Sequence, residues 1–215
     1  MELNIQDFRN EFYFEIKNIL EPEGYIFRKS KYDFVKSDQD WKFCINVYCH
    51  KWSTSIEIIT QAYVGNTLID KIRNKAIGEK YHQNFVFGGT VEQLSAFKRG
   101  GWKNQFSSIL VINNSELSGI VKEWKEQYEN YIKDFYKTAE NLNFIEAWYD
   151  KDEQFGLYVS GFMRALNRPI IMHLLNKPKK KILDICERDI DNLAKFLSNK
   201  DLERLKMVQK FIIKN

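Results

Sequence analysis

Residues 41–50 read WKFCINVYCH, and this stretch decides the fold class. Every second residue from Trp41 to Cys49 is apolar, whereas the alternate positions, from residue 42 to residue 50, include lysine, asparagine and histidine. A period of two that combines aromatic and β-branched residues is typical of a half-buried β-strand. Residues 54–64 repeat the pattern after the short turn HKWS. Because the link between these strands is short, the sequence predicts an antiparallel meander.

The flanking sequence adds one helix and several short strands. Apolar residues at spacings of three and four predict an amphipathic helix over residues 5–20, with Asn4 as its N-cap. Further short strands are predicted over residues 32–35, 84–87 and 107–112.

Beyond residue 112 the hydrophobic period changes from two to 3.6, which predicts helices. A long helix over 114–142 carries Trp124, Tyr128 and Phe135 on one face, and we expect this aromatic stripe to pack on the sheet. The remaining predicted helices are 155–166, ended by Asn-Arg-Pro, then 169–175, 182–197 and 202–213, with residues 176–181 (NKPKKK) as a linker.

Strands followed by helices predict an α+β fold, in which an antiparallel sheet is packed by helices and followed by a helical C-terminal part. The predicted division is an α+β domain over 1–143 and a helical part over 144–215, packed on the same domain. The 215 residues, 44% of them hydrophobic, are enough to bury a substantial core.

Composition favours a cytoplasmic protein without a membrane segment. Only three cysteines are present, an odd and sparse count that fits a reducing compartment. No signal-peptide pattern and no run of about 18 apolar residues is found. The net charge of +4 is concentrated after residue 176.

Motifs for catalysis or cofactor binding are missing from the sequence. It has no HExxH, GxSxG, GxGxxG or Walker A pattern, and its three histidines do not have metal-ligand spacing. We therefore expect no metal and no cofactor. An enzyme with an unrecognised site around Glu57 and His82 remains an alternative.

The stretch VFGGTVEQLSAFKRGGW, residues 86–102, has two interpretations. Thr90 and Gln93 have the spacing of a capping box, which predicts a short helix bounded by glycine pairs. Alternatively, Thr90, Lys98 and Arg99 form an anion site at the start of that helix.

Two surface segments are candidate partner sites. Trp148 and Tyr149, surrounded by acidic residues in 146–153, suggest a protein-binding loop, although a solvated helix connection would give the same pattern. Lys179, Lys180 and Lys181 are the candidate contacts of a nucleic-acid partner, together with Lys98, Arg99 and Lys103.

The stretch LEPEGYIFRKSKYDFVKSDQDWKFCINVY, residues 20–48, resembles the start of uncharacterised bacterial domain-of-unknown-function families. Those families have a helix, a glycine–aromatic start and a lysine-rich hairpin, which Gly24, Tyr25, Lys29, Lys31 and Tyr32 match. Some of these families look like immunity proteins of toxin systems or small adaptor domains. The resemblance implies a bacterial protein-binding domain, but immunity proteins against nucleases are commonly acidic, and this chain is mildly basic.

The leading hypothesis is therefore a cytoplasmic, non-enzymatic protein-binding domain of immunity or adaptor type. A nucleic-acid-associated protein that uses the basic C-terminal region is the first alternative, and an enzyme is the second.

Overall fold

The computed structural model describes residues 4–81, 85–98, 108–112, 116–149 and 160–215. It confirms the α+β class, with a six-stranded antiparallel sheet, helices packed against it and a helical C-terminal part. The described residues belong to two compact units, unit 1 (Met1–Val64 and Gly88–Thr138) and unit 2 (Gly65–Phe87 and Ala139–Asn215). The predicted division into an α+β domain over 1–143 and a helical part over 144–215, packed on the same domain, stays a prediction.

The strands are β1 (Ile26–Arg28), β2 (Asp33–Asp38), β3 (Trp41–Lys51), β4 (Ser55–Asn66), β5 (Phe87–Thr90) and β6 (Ile109–Ile112). The helices are α1 (Ile5–Leu20), α2 (Thr67–Ile77), α3 (Val91–Lys98), α4 (Leu117–Gln127), α5 (Lys133–Ala139), α6 (Leu142–Tyr149), α7 (Gly161–Leu174), α8 (Lys179–Leu193) and α9 (Asn199–Lys214). A short 3₁₀ turn (Glu21–Glu23) follows α1, and a π-helical turn (Tyr128–Ile132) joins α4 to α5.

The sheet has the order β1-β2-β3-β4-β5, and β6 also pairs with β4. The predicted strands β2, β3, β4 and β6 are confirmed, whereas β1 was not predicted. The strand predicted over residues 84–87 is wrong in position, since β5 spans 87–90. This shift places Gly88 against β4, where a Cβ atom would lie 2.3 Å from the Ala62 carbonyl oxygen. Glycine is therefore required for the close approach of the two backbones.

One face of the sheet carries the core of unit 1. Alternate residues of β3 and β4 are buried there, and the helices supply aromatic partners. Trp124 of α4 donates from Nε1 to Thr60 Oγ1 at 3.0 Å, and Tyr136 of α5 packs edge-on against Phe43 with ring centroids 5.0 Å apart. Trp124, Tyr128 and Phe135 are all buried, which confirms the predicted aromatic stripe.

The prediction of one uninterrupted helix over 114–142 is wrong in its details. The π-helical turn interrupts the α-helical geometry, and α5 ends at Ala139. In an α-helix, four residues turn the chain by about 400°, so a residue four positions on lies about 40° away from the direction of the first around the helix axis. The wider π turn compensates this drift, so that Trp124, Tyr128 and Ile132 all remain buried.

In unit 2, α7 and α8 pack against each other, and α9 contacts both as well as α2. The expected break at Asn-Arg-Pro is wrong, because α7 runs through Pro169 without ending. Residues 165–172 are all buried, so tertiary packing offsets the lost backbone hydrogen bond of the proline. The expected linker is also shorter, since Lys179–Lys181 form the first turn of α8.

A fully buried arginine joins two helices of unit 2. Arg73 of α2 forms an ion pair with Asp70 and donates to Asn167 Oδ1 of α7 at 2.9 Å. The Tyr81 ring lies near two guanidinium groups, 5.4 Å from Arg73 and 5.2 Å from Arg204. This arrangement places a charged side chain in the interior, where it is paired and hydrogen-bonded.

Candidate functional site

Tyr149 does not lie on a surface loop. It is the last residue of α6, is only 2% exposed, and donates its hydroxyl hydrogen to the Val86 carbonyl oxygen at 2.6 Å. The prediction of Tyr149 as an exposed interface anchor is therefore wrong, because its ring belongs to the core of unit 2. Trp148 is half-buried and contacts the Phe144 ring. Residues 150–153 of the predicted acidic loop lie outside the described residues.

The capping box at the start of α3 is confirmed. Thr90 Oγ1 accepts from the Gln93 backbone N–H at 3.2 Å, and Gln93 Oε1 accepts from the Thr90 N–H at 2.7 Å. Lys98 is the last residue of α3, whereas Arg99 and Lys103 lie outside the described residues. The anion site at Thr90, Lys98 and Arg99 thus stays a prediction, and the structural role of Thr90 is established by its hydrogen bonds.

Replacing Thr90 with alanine should lower the free energy of unfolding by about 1 kcal/mol, because one backbone N–H at the start of α3 loses its acceptor. Urea denaturation followed by circular dichroism would measure the loss. Thr54→Ala, at an exposed turn position, is the matched control and should change stability by less than about 0.5 kcal/mol. Equal losses in the two variants would refute the capping role.

The candidate nucleic-acid contacts lie at the start of α8. Lys179, Lys180 and Lys181 are exposed, and Lys179 Nζ donates to the Ile213 carbonyl oxygen at 3.2 Å, near the end of α9. One of the three lysines therefore has a structural partner. Lysines are unfavourable in the first turn of a helix because they face its positive dipole end, so an anionic partner would relieve this repulsion.

The three cysteines are free thiols in buried positions. Burial, followed by the nearby Asp33 carboxylate, raises the pKa of Cys44 to about 12. Burial also raises the pKa of Cys186 to about 12 and the pKa of Cys49 in the same direction. The thiols consequently stay protonated near neutral pH and are poor nucleophiles.

These thiols should react slowly with a thiol-specific reagent at pH 8. With a pKa of about 12, Cys44 and Cys186 are deprotonated in only about one molecule in ten thousand at pH 8. An unperturbed cysteine is deprotonated in about a quarter of the molecules at that pH. Stopped-flow mixing with a chromogenic disulfide would measure the labelling rate of the native protein and that of the urea-unfolded protein. Rapid labelling of the native chain at unfolded-state rates would contradict the buried, protonated assignment.

The face of the sheet opposite the core carries large apolar residues at one end. We call the group Tyr48, His50, Trp52, Leu110 and Ile112 the sheet patch. Tyr48 and His50 are outward residues of β3, Trp52 follows that strand, and Leu110 and Ile112 are outward residues of β6. The exposed fractions are 45% for Tyr48, 53% for Trp52, 61% for Leu110 and 58% for Ile112.

Local contacts hold the sheet patch together. The His50 and Trp52 rings meet edge-on with centroids 4.6 Å apart, and Trp52 Nε1 donates to Glu57 Oε2 at 3.2 Å. Glu57 pairs with Leu110 in the antiparallel register of β4 and β6, and Ser55 pairs with Ile112. The Trp52 ring is therefore fixed beside β4 before any partner binds.

The sheet patch was not predicted as a site, although its signal is in the sequence. Residues 109–112 read ILVI, which is apolar on both faces of a strand. Apolar residues on both faces are typical of strands that are covered on both sides. Of these four residues only Ile109 and Val111 are buried, so Leu110 and Ile112 keep an exposed apolar surface.

The described residues were also searched for a metal site and for a membrane-spanning helix. No group of three or more His, Cys, Asp or Glu side chains is arranged as metal ligands within them, and His82 of the proposed enzyme site lies outside them. No helix of the described chain combines the length and hydrophobicity that crossing a bilayer requires. Comparisons with protein-family models, with curated proteins and with solved structures found no match.

Proposed function

We propose that this chain is a non-enzymatic protein-binding protein whose sheet patch contacts a partner protein. The observation that carries the proposal is the cluster of Tyr48, Trp52, Leu110 and Ile112, each at least 45% exposed, on one end of the outer sheet face. Exposed large apolar side chains that are grouped on one face are more typical of interaction surfaces than apolar residues that are exposed singly.

The residue types fit an interface anchor. Tryptophan and tyrosine are enriched among the residues that contribute most to binding energy. Complete burial of an aliphatic side chain such as Leu110 contributes about 1.5–3 kcal/mol. Because the ring of Trp52 is already held by His50 and Glu57, its ordering costs less on binding.

The occupant that we propose is a folded protein with a complementary apolar surface. Among the described residues next to the sheet patch in β3 and β4, Lys51 and Glu57 carry charges of opposite sign. A nucleic-acid surface requires clustered lysine and arginine, which the sheet patch does not provide. An apolar partner surface bordered by polar groups is therefore the better match.

A non-catalytic, cytoplasmic role is part of the same proposal. Three free buried thiols are typical of proteins in a reducing compartment, and their raised pKa values disfavour a nucleophilic role. Glu57, a residue of the enzyme alternative, accepts a hydrogen bond from Trp52 in the sheet patch. Residues 20–48 resemble uncharacterised bacterial families, some of which look like immunity proteins or adaptor domains, and this resemblance supports the immunity or adaptor assignment.

The nucleic-acid alternative is favoured by a different observation, the exposure of Lys180 and Lys181 in the first turn of α8. It predicts an affinity for DNA or RNA that falls steeply with salt and weakens when the lysines are neutralised. A protein partner bound through the sheet patch should instead show a weak salt dependence, because the contact is mainly apolar.

Affinity capture from the native cell, with variants, tests the proposal. Trp52→Ser and Leu110→Ser should each reduce recovery of one specific partner by at least about tenfold, the effect of losing roughly 1.4 kcal/mol. Phe14→Ser is the matched control, because Phe14 is a similarly exposed apolar residue on α1. It should leave recovery unchanged.

Three outcomes would contradict the sheet patch as a partner site. One is equal recovery with all variants, and another is recovery of nucleic acid alone with loss on neutralising Lys180 and Lys181. The third is concentration-dependent self-association that Trp52→Ser abolishes, which would make a second copy of this chain the occupant. Circular dichroism of each variant would establish that its fold is intact.

A further inference from the structure

An acidic side chain, Glu57, lies among the apolar residues of the sheet patch. Its strand, β4, runs between β3 and β6, and Glu57 pairs with Leu110 in the antiparallel register of β4 and β6. Directly opposite residues of neighbouring strands point to the same side of a sheet. Glu57 is half-buried, whereas its neighbours Ile56 and Ile58 are buried in the core. Glu57 therefore lies on the outer face, between β6 and the outward residues of β3.

The Glu57 carboxylate has an incomplete set of partners. Its Oε2 atom accepts from Trp52 Nε1 at 3.2 Å. In the part of the chain that the structure describes, Oε1 accepts no hydrogen bond and Glu57 forms no ion pair. An ionised carboxylate accepts at about four sites on its two oxygens. Because the side chain is only half-buried, water hydrates the remaining sites in the free chain.

A partner that covers the sheet patch removes this hydration. Taking an ionised carboxylate out of water is costly unless it is both hydrogen-bonded and paired with an opposite charge. The N–H of Trp52 is a neutral donor and does not offset the charge. Apolar neighbours such as Leu110 lower the local dielectric constant, which strengthens an ion pair that forms beside them. A positive charge from the partner is the group that compensates Glu57.

We propose that the partner protein presents a cationic side chain, arginine or lysine, that pairs with Glu57 within an otherwise apolar contact. This inference rests on the proposed function and names the chemistry of the partner at the same site. The apolar stem of such a side chain packs on Leu110 while its charged end donates to Glu57 Oε1. The pair also gives selectivity, because an apolar surface without the cation would leave the Glu57 charge buried and uncompensated.

Glu57→Gln separates the charge of this residue from its hydrogen bond. The amide oxygen still accepts from Trp52 Nε1, so the ring keeps its neighbour while the negative charge is lost. The probe is the protein that the native chain captures from the native cell, purified and titrated against each variant. We expect Glu57→Gln to weaken its binding by about tenfold or more. Glu57→Lys, which opposes two like charges, should weaken it further.

Glu123→Gln is the matched control, because Glu123 is exposed on α4, the helix that packs on the opposite face of the sheet. It should change the affinity by less than about twofold. Native affinity of Glu57→Gln together with a loss in Trp52→Ser would overturn the cation and leave the sheet patch as the partner site. Tighter binding by Glu57→Lys, or an equal loss in Glu123→Gln, would overturn the cation as well.

Failure of the proposed function gives a different result. Native affinity in both Trp52→Ser and Glu57→Gln, or capture of no protein by the native chain, would contradict the sheet patch and the cation together. Circular dichroism of each variant establishes that a loss of affinity is not a loss of fold.

Discussion

Replacing Trp124 with alanine should lower the free energy of unfolding of unit 1 by about 3–5 kcal/mol. The side chain is 1% exposed, and its ring stacks on Tyr128 with centroids 5.6 Å apart and planes inclined by 3°. Truncation removes this contact, leaves a cavity under β4, and deprives Thr60 Oγ1 of its donor from Nε1. Both the lost burial and the unfilled space contribute to the cost.

Equilibrium denaturation in urea, followed by far-ultraviolet circular dichroism, measures this effect. Trp52→Ala is the matched control, since it removes the same side chain from an exposed position. Its expected effect is below about 1.5 kcal/mol, because the Trp52 ring keeps about half of its surface exposed and loses one exposed hydrogen bond. A Trp124→Ala variant as stable as Trp52→Ala would show that the aromatic stripe does not form the core.

Replacing Arg73 with methionine should destabilise unit 2 by about 3–5 kcal/mol. Arg73 has no exposed surface, and the change removes its ion pair with Asp70 and its hydrogen bond to Asn167 Oδ1. The contact of the guanidinium with the Tyr81 ring is lost as well. Removal of one member of a buried pair is costly because the desolvation of the other member is no longer compensated.

A double variant separates the ion pair from the packing of the site. Asp70→Leu added to Arg73→Met should recover part of the lost stability, since apolar residues of similar volume can replace a buried ion pair. Lys195→Met, at an exposed side chain of unit 2, is the control and should change stability by less than about 0.5 kcal/mol. An Arg73→Met variant as stable as this control would refute the structural role of Arg73.

The parts of the fold with strong periodicity were predictable from the sequence. The helix over residues 5–20 and its Asn4 cap are confirmed, because the spacing of the apolar residues and the cap are both local signals. The alternation in β3 and β4 likewise predicted which residues face the core. Thr90 and Gln93 form the expected capping box for the same reason.

The errors occur where tertiary contacts decide the structure. The sequence predicts a break at Asn-Arg-Pro between two helices, with Pro169 in the first turn of the second, but burial of its neighbours keeps α7 continuous. Tyr149 was assigned to the surface because acidic residues surround it in the sequence, whereas its ring contacts Phe87 in the interior. The π-helical turn at 128–132 forms because particular residues must face the core. No local sequence pattern predicts where such a turn occurs.

The candidate site was only partly accessible to sequence reasoning. Exposure of Trp52 follows from its place beyond the end of β3, and the sequence marks only a turn there. The pairing of Glu57 with Leu110 depends on the register between β4 and β6, which are about 50 residues apart along the chain. The sheet patch can therefore be recognised only when the pairing of these two strands in the folded sheet is known.

Hydrogen–deuterium exchange on the captured complex tests the central claim most directly. If a partner protein covers the sheet patch, the peptides that contain residues 46–59 and 108–112 should exchange more slowly in the complex than in the free chain. Peptides from α8, including Lys179–Lys181, should be unchanged. Protection confined to α8, or no change in residues 46–59 and 108–112 on binding, would contradict the proposal that the sheet patch is the interaction site.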